Sequence, residues 1–232
     1  MEDESNNCHC LRQDIRHTSN MFSALLWDND GTLVDTEPLY VEAMQASLAT
    51  VDIPFTEQDY VHHMNVGGDF FEAAVQRGYA PKDIAGLKLK RNAFYTSLLR
   101  DNVPIIDGVI ETLNVLFGKF RMGIVSSSRR EHLDIIMERT GLRKYFEFVI
   151  AREDFVKGKP HPEAFLLGLS TFDLPASSCL AIEDSGRGVI SAKTAGLACV
   201  AIPQGISKNN DFSGADKVLN NVRELPGFLG LS

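Results

Sequence analysis

The stretch Ser23-Ala24-Leu25-Leu26-Trp27-Asp28-Asn29-Asp30-Gly31-Thr32 decides how this chain is read. Its apolar half is short, continuous and without helical spacing, which predicts a strand buried on both faces. The strand stops at two carboxylates spaced two apart, followed by a glycine. In an open α/β sheet such a strand end aims its acids at the carboxyl edge, where ligands bind. Acidic oxygens gathered there suit a metal ion and phosphate chemistry. The same four residues are also ordinary turn formers, so Asp28 to Gly31 taken alone reads equally well as an Asp-rich turn.

Working outward, the chain alternates short apolar runs with amphipathic segments. Gly123-Ile124-Val125, Phe148-Val149-Ile150, Leu180-Ala181-Ile182, Cys199-Val200-Ala201-Ile202 and Lys217-Val218-Leu219 read as buried strands. Between them, Val109/Leu113/Leu116, Leu133/Ile136/Met137 and Phe165/Leu166/Leu169 recur at helical spacing. This alternation predicts an α/β fold, a Rossmann-like parallel sheet with helices on both faces. The interval 38–104 contains no strand pattern, and Leu39, Met44, Leu48, Phe70, Ala74, Leu87, Phe94 and Leu98 mark helices there. The expected organisation is a disordered tail over 1–20, a core over 21–37 and 105–232, and a helical insertion over 38–104.

The 232 residues are 44% apolar and 23% charged, with a net charge of −8. An acidic chain of this kind argues against nucleic-acid binding, which needs a basic face. No apolar run approaches the roughly 20 residues of a membrane span, so no membrane partner is expected. The first 20 residues lack the pattern of a signal peptide. Cys8, Cys10, Cys179 and Cys199 do not form a disulfide framework at this length, which fits a cytoplasmic setting. Cys8-His9-Cys10 lacks zinc spacing.

Three segments stand beside Asp28 and Asp30, each just after an apolar run. Ser126-Ser127-Ser128 would bring hydroxyls and backbone N–H groups to a phosphate oxygen, although serines also cap helices without a ligand. Lys159-Pro160-His161-Pro162 offers a compact ammonium charge at a rigid helix entry, or else an ordinary solvated loop. Glu183-Asp184-Ser185 puts two adjacent acids at a buried strand end, where they repel each other unless a cation is shared with Asp28. As a plain alternative, Asp184 would cap the next helix. Gly186-Arg187-Gly188 reads as a tight turn into that helix, and His62-His63 as a polar loop pair.

In this order and spacing the four segments resemble the haloacid dehalogenase-like hydrolase superfamily, from about Phe22 to Pro203. Its first motif, D-x-D-G-T-[LV]-x-D-[ST], is matched by Asp28 through Thr36 at every specified position. The resemblance implies that Asp28 is the nucleophile and Asp30 the general acid/base. Ser126, Ser127 and Lys159 would hold the phosphoryl group. Asp28, Asp30 and Asp184 would ligate magnesium, Asp30 through its backbone carbonyl, and Glu183 would support that site. The insertion resembles the small helical cap of the phosphoglycolate phosphatase and β-phosphoglucomutase branch, which makes Tyr40, Asn65 and Asp69 candidate contacts to a small phosphorylated metabolite.

The expected activity is a magnesium-dependent phosphatase working through an aspartyl-phosphate. The alternatives are a β-phosphoglucomutase-like mutase and a non-catalytic binding module that keeps the fold. Tyr40 stands where the mutases carry a histidine, and Gly68 where a cap arginine would hold a second phosphate, so the phosphatase is preferred. Every acid, hydroxyl and ammonium that the chemistry needs is present, which argues against the binding module.

Overall fold

The structure is a computed structural model that describes residues 21–231. The expectations for the tail over 1–20, including Cys8 and Cys10, lie outside the described residues. Six strands form one parallel sheet: β1 (Ala24–Trp27), β2 (Arg121–Val125), β3 (Phe148–Ile150), β4 (Cys179–Glu183), β5 (Ala198–Ala201) and β6 (Lys217–Val218). Their spatial order is β3-β2-β1-β4-β5-β6, so the chain runs outward from β1 on one side and then returns to build the other. That reversal opens a crevice beside the carboxyl end of β1, the place where doubly wound sheets bind ligands.

Alternation along the strands explains why they read as unbroken apolar runs. Leu25, Trp27, Ile124, Leu180 and Ile182 face one hydrophobic cluster, while Ala24, Leu26, Val125, Cys179 and Ala181 face another. Successive side chains point to opposite faces, and here both faces are covered, so the interior strands are apolar except at their ends, where β2 begins with the exposed Arg121 and β4 stops at Glu183. Cys179 and Cys199 are free and buried, each behaving as a small hydrophobe in this packing.

Five helices complete the core: α5 (Val109–Leu116), α6 (Arg130–Thr140), α7 (Glu163–Phe172), α8 (Gly186–Thr194) and the short α9 (Leu225–Phe228). Val109, Leu113 and Leu116 are buried as their spacing predicts, whereas Leu166 on α7 faces outward. Four further helices lie between β1 and α5: α1 (Glu37–Ala49), α2 (Glu57–Val66), α3 (Glu72–Gln76) and α4 (Pro81–Asp101). They enclose a third cluster that includes Met44, Leu48, Phe71 and Leu87. Ile206, from the turn after β5, packs against this cluster, so the insertion rests on the core at that point. His62 and His63 sit within α2 and not in a loop, because the Thr56–Asp59 capping box starts that helix early enough to include them.

Candidate active site

The register of the strands brings the functional segments to one edge. Trp27 lies level with Ile124 on one neighbour and Ile182 on the other. Asp28, Ser126 and Glu183–Asp184 therefore emerge together where the three strands end, and the Asp28 N–H donates to the Ile182 carbonyl at 2.9 Å. Asp28, Ser126 and Asp184 line a cavity of about 300 Å³ together with Asp30, Ser127, Ser128 and Lys159, and Glu183 lies buried behind them.

Lys159 is buried, contrary to the plain reading of a solvated loop. Its Nζ lies 2.6 Å from Asp28 Oδ1, 2.5 Å from Glu183 Oε1 and 3.0 Å from the Val125 carbonyl oxygen. The loop that delivers it is tied at several points. The Glu163 carboxylate accepts from the Val156 and Lys157 N–H groups at 2.8 and 2.9 Å. Arg152 donates to the Phe155 carbonyl at 2.7 Å, and Arg187 donates to the Lys159 carbonyl.

Asp30 is held by three hydroxyls. Thr36 donates to its Oδ1 at 2.5 Å, while Ser128 and Ser126 donate to its Oδ2 at 2.7 and 3.3 Å. Two glycines make room for the acids. Gly31 has φ +78°, and a Cβ there would overlap the Asp184 carboxylate. A Cβ at Gly188 would overlap the Glu183 carboxylate in the same way. Ser185, not Asp184, caps α8, its Oγ accepting from the Gly188 N–H at 3.1 Å. Asp184 is thereby left to face the site.

The electrostatics are lopsided. Ligand oxygens of Asp28, Glu183 and Asp184 all lie within 4.8 Å of one another, and each residue is buried. Asp30 does not join this carboxylate group. Lys159 is the one cation bonded into it among the described residues. Burial pushes the Asp28 carboxyl up to about 8 against the pull of Lys159, with Glu183 and Asp30 adding to the rise. Burial, and then the charges of Asp28, Glu37 and Glu183, hold Asp184 well above the usual carboxylate range. Burial alone would lower the Lys159 ammonium, but Asp28 and Glu183 outweigh it and keep the lysine charged. The cluster thus carries more negative charge than Lys159 can balance. Hard oxygens in a group short of positive charge fit a small divalent cation such as magnesium. Lys159 engages one oxygen each of Asp28 and Glu183, which leaves Asp28 Oδ2 and the Asp184 carboxylate as the donors to hold it.

The far wall of the cavity comes from the helical insertion. Tyr40, Tyr60, Met64, Phe70 and Tyr95 line it with Glu37. Tyr40 lines the cavity, and its ring lies 4.6 Å from the Arg91 guanidinium. Asn65 is not among the lining residues; it is exposed at the end of α2 and borders a separate groove beside Arg187 and Asn210. Asp69 is also absent from the lining, and accepts from Lys88 Nζ at 2.5 Å and from the Phe71 N–H at 3.1 Å. Sequence alone does not mark Tyr60, Phe70 and Tyr95 as site residues, because a buried aromatic reads identically as core. Thr36 and Glu37 do carry a signal, since the first motif ends at Thr36 and the helix begins at Glu37.

Comparisons with known proteins agree with this geometry. The pattern of the family described as haloacid dehalogenase-like hydrolase matches residues 25–202. Protein CbbY of Rhodobacter capsulatus is 31% identical over 83% of this chain and 90% of its own length. A phosphorylated carbohydrates phosphatase of Thermotoga maritima is 31% identical over 75% of this chain and 82% of its own. The crystal structure of CbbY from Rhodobacter sphaeroides in complex with phosphate superimposes with a TM-score of 0.80 at 26% identity, covering 91% of this chain and all of that one. The chain is a hydrolase that belongs to the haloacid dehalogenase-like family.

Proposed function

We propose that this hydrolase is a magnesium-dependent phosphatase that cleaves a small phosphorylated metabolite, a sugar phosphate in particular, through an aspartyl-phosphate on Asp28. The observation that carries the reading is the convergence of Asp28, Glu183 and Asp184 within 4.8 Å beside Lys159. The kinship with a phosphorylated carbohydrates phosphatase supports the substrate class.

In this mechanism an Asp28 carboxylate oxygen attacks phosphorus, and the bond from phosphorus to the leaving oxygen breaks. Lys159 and the serine turn at 126–128 hold the phosphoryl oxygens, so that the transferring group meets the nucleophile in line. Asp30, oriented by Thr36 and Ser128, gives its proton to the leaving oxygen. It then takes a proton from the water that attacks phosphorus, which releases phosphate and frees Asp28. Bound magnesium, held by Asp28, Asp184 and the Asp30 carbonyl with Glu183 in support, would neutralise phosphoryl charge.

The mutase alternative lacks support in the cavity: among the described residues, the wall given by α1, α2, α4 and Phe70 brings no lysine, arginine or histidine into it. The test is phosphate release from a panel of sugar phosphates with and without magnesium. Full activity in Asp28→Asn would overturn the covalent mechanism. Conversion of β-glucose 1-phosphate to the 6-phosphate faster than its hydrolysis would restore the mutase.

A further inference from the structure

Glu37 is a buried acid for which the phosphoryl chemistry has no use. It is the first residue of α1, 7% exposed, and it lines the cavity with residues of the helical insertion. The one hydrogen bond from a side chain to its carboxylate among the described residues comes from the Tyr60 hydroxyl, at 3.2 Å. An ionised carboxylate has about four acceptor positions, and a buried one left short of donors is costly. Most of its hydrogen-bonding capacity is therefore open towards the cavity.

The surroundings define what can use it. Tyr60 and Phe70 stack with ring centroids 5.5 Å apart at 16°, and Tyr40 and Tyr95 meet edge to face at 5.3 Å beside them. These rings give the wall an apolar surface edged with phenols, with Glu37 as its acid. The arginines that line the cavity, Arg152 and Arg187, belong to the core side, where they donate to the carbonyls of the loop carrying Lys159. A leaving group lying against the Glu37 wall is thus offered acceptors and aromatic faces, and meets a negative charge if it carries a carboxylate of its own.

Building on the phosphatase reading, we infer that Glu37 is a specificity-determining residue that accepts hydrogen bonds from hydroxyls of the leaving group. It selects uncharged polyhydroxylated phosphate esters and rejects those whose leaving group is a carboxylate, such as 2-phosphoglycolate. The stacked Tyr60 and Phe70 rings take the C–H side of the same carbon chain.

The test compares wild type with Glu37→Gln on glucose 6-phosphate, fructose 1-phosphate, ribose 5-phosphate, 2-phosphoglycolate and p-nitrophenyl phosphate. The wild type is expected to prefer at least one sugar phosphate over 2-phosphoglycolate. In Glu37→Gln, assayed at about pH 8 where the wild-type carboxylate is ionised, kcat/KM for that sugar phosphate should fall relative to p-nitrophenyl phosphate by about tenfold or more, mainly through KM, because a charged acceptor is lost. The handicap of 2-phosphoglycolate should shrink at the same time. Equal loss on sugar and aryl phosphates, or 2-phosphoglycolate as the best wild-type substrate, would overturn the assignment.

Binding separates this claim from the reading it builds on. In an Asp28→Asn background, calorimetric titration with the same sugar phosphates should weaken by about tenfold when Glu37→Gln is added. No weakening overturns the role of Glu37 even if turnover is robust. Absence of turnover on every ester, p-nitrophenyl phosphate included, with binding that still depends on Glu37, removes the phosphatase and keeps the hydroxyl recognition.

Discussion

Lys159 Nζ lies 2.6 Å from Asp28 Oδ1, in a pocket where both side chains are almost wholly shielded from water. The lysine is therefore part of the folded core as well as of the phosphate site. A lysine in the solvated loop that the sequence also allows could be removed without cost to the fold. The burial of its two carboxylate partners changes that expectation, since removing one member of a buried ion pair costs ~3–5 kcal/mol. Urea denaturation of Lys159→Ala should show a loss of this order, partly recovered by added magnesium. An unchanged midpoint would mean that the carboxylates find water when the ammonium is gone.

The excess negative charge around Asp184 predicts that metal binding stabilises the fold. At a hundredfold excess over its dissociation constant a ligand of the native state contributes about 2.7 kcal/mol, which corresponds to roughly 5–10 °C in Tm for a domain of this size. Magnesium should raise the wild-type Tm in this way, and Asp184→Asn should lose most of the shift together with turnover. Calcium should stabilise yet support turnover poorly, because its larger and looser shell tolerates geometries that spoil in-line attack. A magnesium shift that survives in Asp184→Asn would place the ion elsewhere.

Asp30 and its three hydroxyl donors make a prediction about leaving groups. Asp30→Asn should slow phosphoryl transfer from an alkyl phosphate far more than from p-nitrophenyl phosphate, whose leaving oxygen hardly needs a proton. A difference on the order of a hundredfold is expected, read as a single-turnover burst. Steady-state rates would hide it, because water attack on the aspartyl-phosphate slows too. Equal slowing of the two bursts would remove Asp30 from the acid role.

Glu37 gives a pH-dependent stability. Burial lifts its carboxyl from 4.5 to about 7, against the bond from Tyr60, so between those values the native chain holds a proton that the unfolded chain has released. Its contribution is fully present below pH 4.5 and is lost as pH rises through 7. Glu37→Gln, which keeps an acceptor for Tyr60, should match wild type near pH 4.5 and exceed it at pH 8 by on the order of 2 kcal/mol. Thermal melts across that range check the sign, and a gain that is independent of pH would show that charge is not its cause.

Much of this molecule is legible in short-range pattern. The unbroken apolar runs identify the interior parallel strands because both sheet faces are covered there, whereas β6, read as buried, lies at the sheet edge with Lys217 and Val218 exposed. A parallel sheet also sends every strand end to one edge. Asp28, Ser126, Lys159 and Glu183–Asp184 could thus be grouped from their positions just beyond the apolar runs. The pairing inside that group is not legible: sequence places an ammonium among several acids without choosing between them, and the Lys159 nitrogen bonds Asp28 and Glu183. Which carboxylate a buried ammonium meets depends on how a loop held by Glu163, Arg152 and Arg187 comes to rest.

The insertion shows the limit most clearly. Its helical character is written in the spacing of Leu39, Met44 and Leu48, but which of its faces looks into the cavity is set by the packing of α1 against α4 and by the cluster around Phe71. Asn65 and Asp69 have the polarity of substrate contacts and lie outside the cavity, while Tyr60, Phe70 and Tyr95 have the composition of core and form its wall. Hydrophobic pattern records how much of a side chain leaves water. It does not record whether protein or substrate takes the place of that water, and for this wall only the tertiary structure decides between the two.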